Sequence, residues 1–187
     1  MGWNQVRWTE AHQIASLMGV EDEALPESGI APHVHFAGLR SAGDRRTAVT
    51  FLGHALPRLE ALAWAGRVLE TEAATRELRR PDQQALEHAL RWLGDPGDAT
   101  RRTAMEAAES AGERSPERML ATGVFFSGGS ISEPDLPVIL PAPELAGRFA
   151  AVAVILAAAR VQDGNALLDR ALDLGERIAA EGTTALR

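Results

Sequence analysis

The sequence predicts an all-α protein, an irregular bundle of about seven or eight helices with one long Pro/Gly-rich loop. Apolar residues recur at helical spacing along most of the chain, and Pro, Gly and capping residues punctuate the segments where helices start and stop. No segment reads as a convincing strand. The 187 residues are enough to bury roughly 70% of the unfolded chain's surface. One domain over residues 1–187 therefore needs neither metal nor disulfide, with residues 1–28 read as a loosely docked N-terminal segment.

Each element has its own signals. Thr9 to Met18 reads as a short helix closed by Gly19, Val20 to Ser28 as an acidic linker, and Pro32 to Arg40 as a further helix. Trp3 and Trp8 must either dock on the bundle or meet a partner, and docking is the simpler reading. Asp44 caps a helix from Arg45 to Leu56, with Ala48, Val49, Phe51, Leu52 and Ala55 inward and Thr47, Thr50 and His54 on the solvated side. Pro57 either kinks that helix or starts a new one, and a new start is favoured. From there to about Thr75, Glu60, Arg67, Glu70 and Thr71 form a narrow polar stripe, so this helix is expected to be mostly enclosed.

Pro81 to Gly94 carries an apolar arc of Ala85, Leu86, Ala89, Leu90, Trp92 and Leu93. After the turn at Asp95-Pro96-Gly97, Asp98 is the expected N-cap of a helix running to about Ala111, whose inner face is small and alanine-rich. Gly112 ends it, and Ser115-Pro116 restarts the pattern. From Ser127 to Pro143 the residues Gly128, Gly129, Pro134, Pro137, Pro141 and Pro143 break any helix. Leu136, Val138, Ile139 and Leu140 within this loop suggest that it packs on the helices in extended form. Glu144 to Val161 combines a bulky stripe (Leu145, Phe149, Val152, Leu156) with a small one (Ala146, Ala150, Ala153, Ala157), fitting two neighbours at different distances. Gly164 to about Ala180 is a half-buried closing helix.

Composition excludes much chemistry. With a formal charge of -7 and no Cys or Tyr, the chain lacks the basic excess of a backbone-driven nucleic-acid binder. Thiolate nucleophiles, iron-sulfur clusters and Cys-based zinc sites are ruled out. Every basic side chain other than His is Arg, which removes Schiff-base lysines and the P-loop lysine. No apolar h-region follows the N-terminus, and residue 6 is Val where a myristoylation signal has Ser or Thr. The apolar run Phe149–Ala159 is about half the length needed to cross a bilayer. A cytoplasmic protein without membrane insertion is expected.

The candidate motifs have structural explanations. His33 and His35 would point about 200° apart on a helix and cannot grip one ion, so no metal site is expected. His12, His54 and His88 read as surface histidines. Ser127-Gly128-Gly129-Ser130 is neither a nucleophile elbow nor a Walker loop, and serves as a helix stop. Arg101 and Arg102 could form an anion cluster, although Arg102 and Glu106 have the spacing of an ordinary surface ion pair. Pro57 setting the first turn, Glu60 near the positive helix end and Trp64 in the core make an architectural unit.

Three stretches carry a family resemblance. Ala55-Leu56-Pro57-Arg58-Leu59-Glu60-Ala61-Leu62-Ala63-Trp64-Ala65 resembles the A-L-P-[RK]-x-E-A-x-x-W-A signature of a bacterial family of unknown function, often encoded near type VI secretion genes. Asp95-Pro96 followed by Arg101-Arg102-Thr103-Ala104-Met105 resembles its D-P-x-x-x-x-R-x-A-M segment, and Phe126-Ser127-Gly128-Gly129-Ser130 its W/F-S-G-G-S element. Ala63 stands where that pattern has a second tryptophan. The resemblance implies association with a secretion system and assigns no role to Pro57, Arg58, Glu60, Trp64, Arg101, Arg102, Gly128 or Gly129.

The expected function is therefore that of a non-enzymatic accessory, such as an adaptor, effector chaperone or immunity factor, without cofactor and with a protein partner. Its candidate binding surface is the loop Ser130 to Pro141, with Ile131, Leu136, Pro137, Val138 and Ile139. The alternative is a small-molecule or anion-binding module using Arg101, Arg102 and Glu60.

Overall fold

Side-chain caps mark the starts of three of the helices. In the computed structural model, which describes residues 2–133 and 135–186, Asp44 accepts from the Thr47 N–H (3.2 Å), Ser115 from Arg118 (3.1 Å) and Asp163 from Ala166 (3.0 Å). Each such bond stabilises its helix by about 1 kcal/mol. Pro134, one of the loop's breakers, lies outside the described residues.

Among the described residues the elements are α1 (Ala11–Leu17), α2 (Pro32–Ser41), α3 (Arg45–Ala55), α4 (Arg58–Ala73), α5 (Arg80–Gly94), α6 (Asp98–Ser110), α7 (Pro116–Phe125), α8 (Leu145–Ala159) and α9 (Gly164–Glu181). Short 3-10 turns lie at Asp22–Ala24 and Gly182–Leu186. The two short helices of the first forty residues bring the count to nine, and no described residue is in a strand. No described helix is long and apolar enough to cross a membrane.

Helix α8 sits at the centre, against α3, α4, α7 and α9. It turns its small stripe inward: Ala146, Ala150, Ala153 and Ala157 are fully buried, while Leu145, Phe149 and Leu156 are half-buried and Val152 is exposed. The bulky stripe takes a second neighbour through Phe149, whose ring stacks on Phe126 at the end of α7 with centroids 5.6 Å apart. Gly53 of α3 and Gly147 of α8 bring the two backbones so close that only small side chains fit between them.

Helices α5, α6 and α7 pack on one another, with α7 also against α4 and α8. On the other side α9 closes over α3 and α4, and the buried indole of Trp64 donates to the Ala171 carbonyl (2.7 Å). Both N-terminal tryptophans dock. Trp3 is buried against Phe36 and Phe51, with ring centroids 5.0 and 6.4 Å away, and Trp8 Nε1 donates to the His54 carbonyl (3.3 Å). His54, expected on the polar face of its helix, is buried because this N-terminal segment covers it.

A buried ionic cluster ties three helices together. Glu117 of α7 has 0% exposure and accepts from Arg160 through both oxygens, at 3.0 and 2.6 Å, while Glu72 of α4 accepts from the same guanidinium and from Arg76. Burial opposes the Arg160 charge, but the hydrogen bonds it donates to the two carboxylates, with their negative charge, outweigh that and raise its pKa. Glu72 stands outside the polar stripe of α4, one turn beyond Leu69 and Val68, and that misplaced charge was the sequence signal for the cluster.

Candidate functional site

The three motif stretches meet on one side of the bundle. The backbone between α3 and α4 breaks at Leu56-Pro57, where Pro57 is the N-cap of α4 (φ -57°, ψ 155°) and Glu60 lies in its first turn. Arg58, exposed one residue later, donates from Nη1 to the Ser127 carbonyl (3.1 Å). Arg58, Leu59, Asp98, Arg101, Ser127 and Gly129, with Trp92 behind them, line an open groove of about 340 Å³. Arg101 lines this groove and Glu60 the neighbouring cavity, so these residues of the anion-binding alternative face different spaces.

The arginine pair acts as a clasp. Arg101 is 3% exposed and uses four of the five N–H groups of a guanidinium: two on Asp98 Oδ1 (3.1 and 2.6 Å), one on Phe125 O (2.6 Å) and one on Ser130 O (2.8 Å). Its guanidinium carbon lies 4.7 Å from the Phe125 ring centroid. Arg102 bonds Asp98 Oδ2 (2.9 Å), Ser130 O (3.2 Å) and Ser132 O (3.0 Å). Its partner is thus Asp98 and not Glu106, because the loop carbonyls draw the side chain toward the start of α6.

Asp98 is also not the cap. Gly97 takes the N-cap position and Asp98 is the first helical residue, freeing its carboxylate for the two guanidinia. Their hydrogen bonds hold that carboxyl below the usual carboxylate range. Gly129 completes the arrangement at φ +69°, and a Cβ there would lie 3.2 Å from Arg101 Nη2. Only glycine takes this backbone conformation readily and leaves room for the guanidinium.

The clasp holds the base of the loop. Ser130 Oγ accepts from the backbone N–H of Ser132 (3.1 Å) and of Ile139 (3.2 Å), and the Ile131 N–H donates to Ile139 O (2.9 Å). Beyond this base Leu136, Val138, Ile139 and Leu140 are 59%, 73%, 56% and 69% exposed. The expectation that they pack on the helices is corrected. With both backbone groups of Ile139 bonded inward to the base, the Val138–Leu140 stretch turns its side chains to solvent. Pro137 is exposed beside them, and Ile131 is half-buried at the base.

No group of three or more His, Asp or Glu among the described residues could hold a metal ion. His33 and His35 lie on one helix, α2, and the His35 ring packs on Phe51 (5.0 Å). The cavity next to the groove, about 370 Å³, is lined by His54, Arg7, Trp8, Arg58, Glu60 and Glu144 among others. Sequence reasoning missed it because Arg7 and Trp8 arrive from the far end of the chain.

Fold and site together define an all-helical protein that displays a pinned, apolar loop. The chain belongs to a family of unknown function (DUF6931), whose model matches residues 35–179. All three motif stretches fall within that match. No curated protein and no solved structure matches the chain.

Proposed function

We propose that this chain is a non-enzymatic, cytoplasmic protein-interaction accessory of a bacterial type VI secretion locus, in the manner of an adaptor, effector chaperone or immunity factor. The observation that carries this reading is the exposed apolar run Leu136–Leu140, raised on a base that Arg101, Arg102 and Ser130 hold in place. Contiguous apolar side chains in water are costly unless a partner covers them. Prolines at positions 137 and 141 limit the freedom an extended segment loses on entering a groove. Glu133 and Asp135 are exposed beside the run, so the partner surface that fits is an apolar groove with a basic rim. The sequence stretches Ala55–Ala65, Asp95–Met105 and Phe126–Ser130 support the genomic association through their resemblance to the signature of that family.

The test is to tag the chain at native level in its own host, crosslink, and identify what co-purifies. A component of the secretion apparatus or an effector, captured stoichiometrically and lost when Leu136, Val138 and Ile139 are all changed to Ser, supports the reading. Capture unaffected by the triple change, or nothing above background, overturns it.

A further inference from the structure

The apolar run of the loop has an unused backbone edge. Ile139 turns both its backbone groups to the base, its N–H to Ser130 Oγ (3.2 Å) and its C=O to the Ile131 N–H (2.9 Å). Two groups of one residue aimed at the same side mean extended backbone, in which the groups of the next residue on either side point the opposite way. Leu140 precedes Pro141, which independently favours extended backbone there. The N–H and C=O groups of Val138 and Leu140 therefore face away from the base, and none of them bonds another backbone group among the described residues. These two are also the most exposed large apolar residues described, so the edge stands clear of the bundle. An open edge of this kind is a template for a second chain.

The chemistry of the edge is the same read in either direction. In Pro137-Val138-Ile139-Leu140-Pro141, Ile139 is flanked on each side by a branched aliphatic residue and then by a proline. Laid antiparallel on a copy of itself about a two-fold axis at Ile139, the segment places Val138 opposite the second copy's Leu140, and Leu140 opposite the second copy's Val138. Each of these pairs exchanges two backbone hydrogen bonds, and Ile139 meets its counterpart as a non-hydrogen-bonded pair. Pro137 falls opposite the second copy's Pro141, again at a non-hydrogen-bonded position, where the missing N–H is not needed. The next donor and acceptor along the edge are already taken, the Leu136 N–H by Glu133 O and the Ala142 C=O by the Leu145 N–H, which confines pairing to this register.

We infer that two copies of this chain pair through Val138–Leu140 as an antiparallel two-stranded ribbon. The pairing goes beyond the accessory reading and is compatible with it, because the backbone edge takes the second copy while the side-chain faces of the run stay open to another protein. The interface is small, so the dimer is weak and reversible.

The chain has no cysteine, so single substitutions in the full protein test both pairing and register. Ile139→Cys, Val138→Cys and Leu140→Cys leave the backbone bonds of the base in place. Across the axis the two Cα atoms of residue 139 lie about 4.5 Å apart, within disulfide reach, whereas residues 138 and 140 meet their own counterparts only diagonally, at more than about 7 Å. In air-saturated buffer Ile139→Cys should form disulfide-linked dimers about tenfold faster than either other variant. Exposure alone predicts the reverse order, since Ile139 is the least exposed of the three. In the unaltered protein, amide exchange at Val138 and Leu140 should slow as protein concentration rises, while exchange at Ile139, already bonded, stays constant. Cross-linking of Ile139→Cys no faster than the other two, or exchange at Val138 and Leu140 independent of concentration up to the solubility limit, overturns the pairing. Neither result bears on the co-purification test, which needs no second copy.

Discussion

Gly53 and Gly147 meet backbone to backbone where α3 crosses α8: a Cβ added at Gly53 would lie 2.7 Å from the Gly147 carbonyl oxygen and 2.9 Å from the Ala151 Cβ. Backbone cannot swing aside as the end of a flexible side chain can. Gly147→Ala, whose new methyl would also meet backbone, is therefore expected to destabilise by about 1–3 kcal/mol as an overpacked core does. In α2, Gly38 has nothing within 4 Å of an added Cβ. There Gly38→Ala should stabilise by about 0.5–1 kcal/mol through helix propensity. Urea unfolding of both variants checks the sign reversal; equal signs would discard the close crossing.

Among the described residues Arg160 is the only guanidinium that bonds Glu117, and Glu117 is fully buried. Arg160→Met leaves two neighbouring carboxylates, one with no partner, and should cost about 3–5 kcal/mol. At roughly 2–4 °C of Tm per kcal/mol for a chain of this size, a loss of about 10 °C is expected by calorimetry. The double variant Arg160→Met, Glu117→Gln should recover part of it.

Arg101→Lys keeps the charge but cannot span Asp98, Phe125 O and Ser130 O at once. The expected outcome is faster amide exchange and proteolysis between Ser127 and Pro143, with exchange in α8 and α9 unchanged. A loop as protected as in the unaltered protein would show that Ser130 alone holds its base.

Stability should fall as pH drops from about 7 toward 5. Burial holds His54 and His35 below the ordinary imidazole range, and for His54 Arg148 adds to this while the Thr50 carbonyl and Glu144 oppose it. The unfolded chain therefore takes up protons first, near pH 6.5, and the folded state loses stability until its own lower pKa is reached. The carboxyls of Asp98 and Asp169, held low by arginines, lose their contribution only below their ordinary range. His54→Gln should flatten the dependence of Tm on pH between 7 and 5, and an unchanged slope would assign it to His35.

Most helix boundaries were legible because caps and proline breaks are local. Asp44, Ser115 and the Pro57 break act within one turn of themselves, and their positions agree with the sequence reading. Asp98 misled because an aspartate after a turn is a good cap only when no better partner competes, and Arg101 and Arg102 compete from inside the same helix.

The sequence by itself determined the all-helical class, the burial of Trp64, and the break from Ser127 to Pro143, since periodicity and backbone stereochemistry need no distant partner. Only tertiary structure decided which face of α8 is inner, that the leucines and valine of the loop point to water, that Glu72 and Glu117 share Arg160, and that His54 lies beneath the N-terminal segment. Those outcomes depend on contacts between residues far apart in the chain, 43 positions for Glu117 and Arg160 and 46 for Trp8 and His54. Local pattern cannot encode such pairings, because each is selected by what the packed helices leave room for.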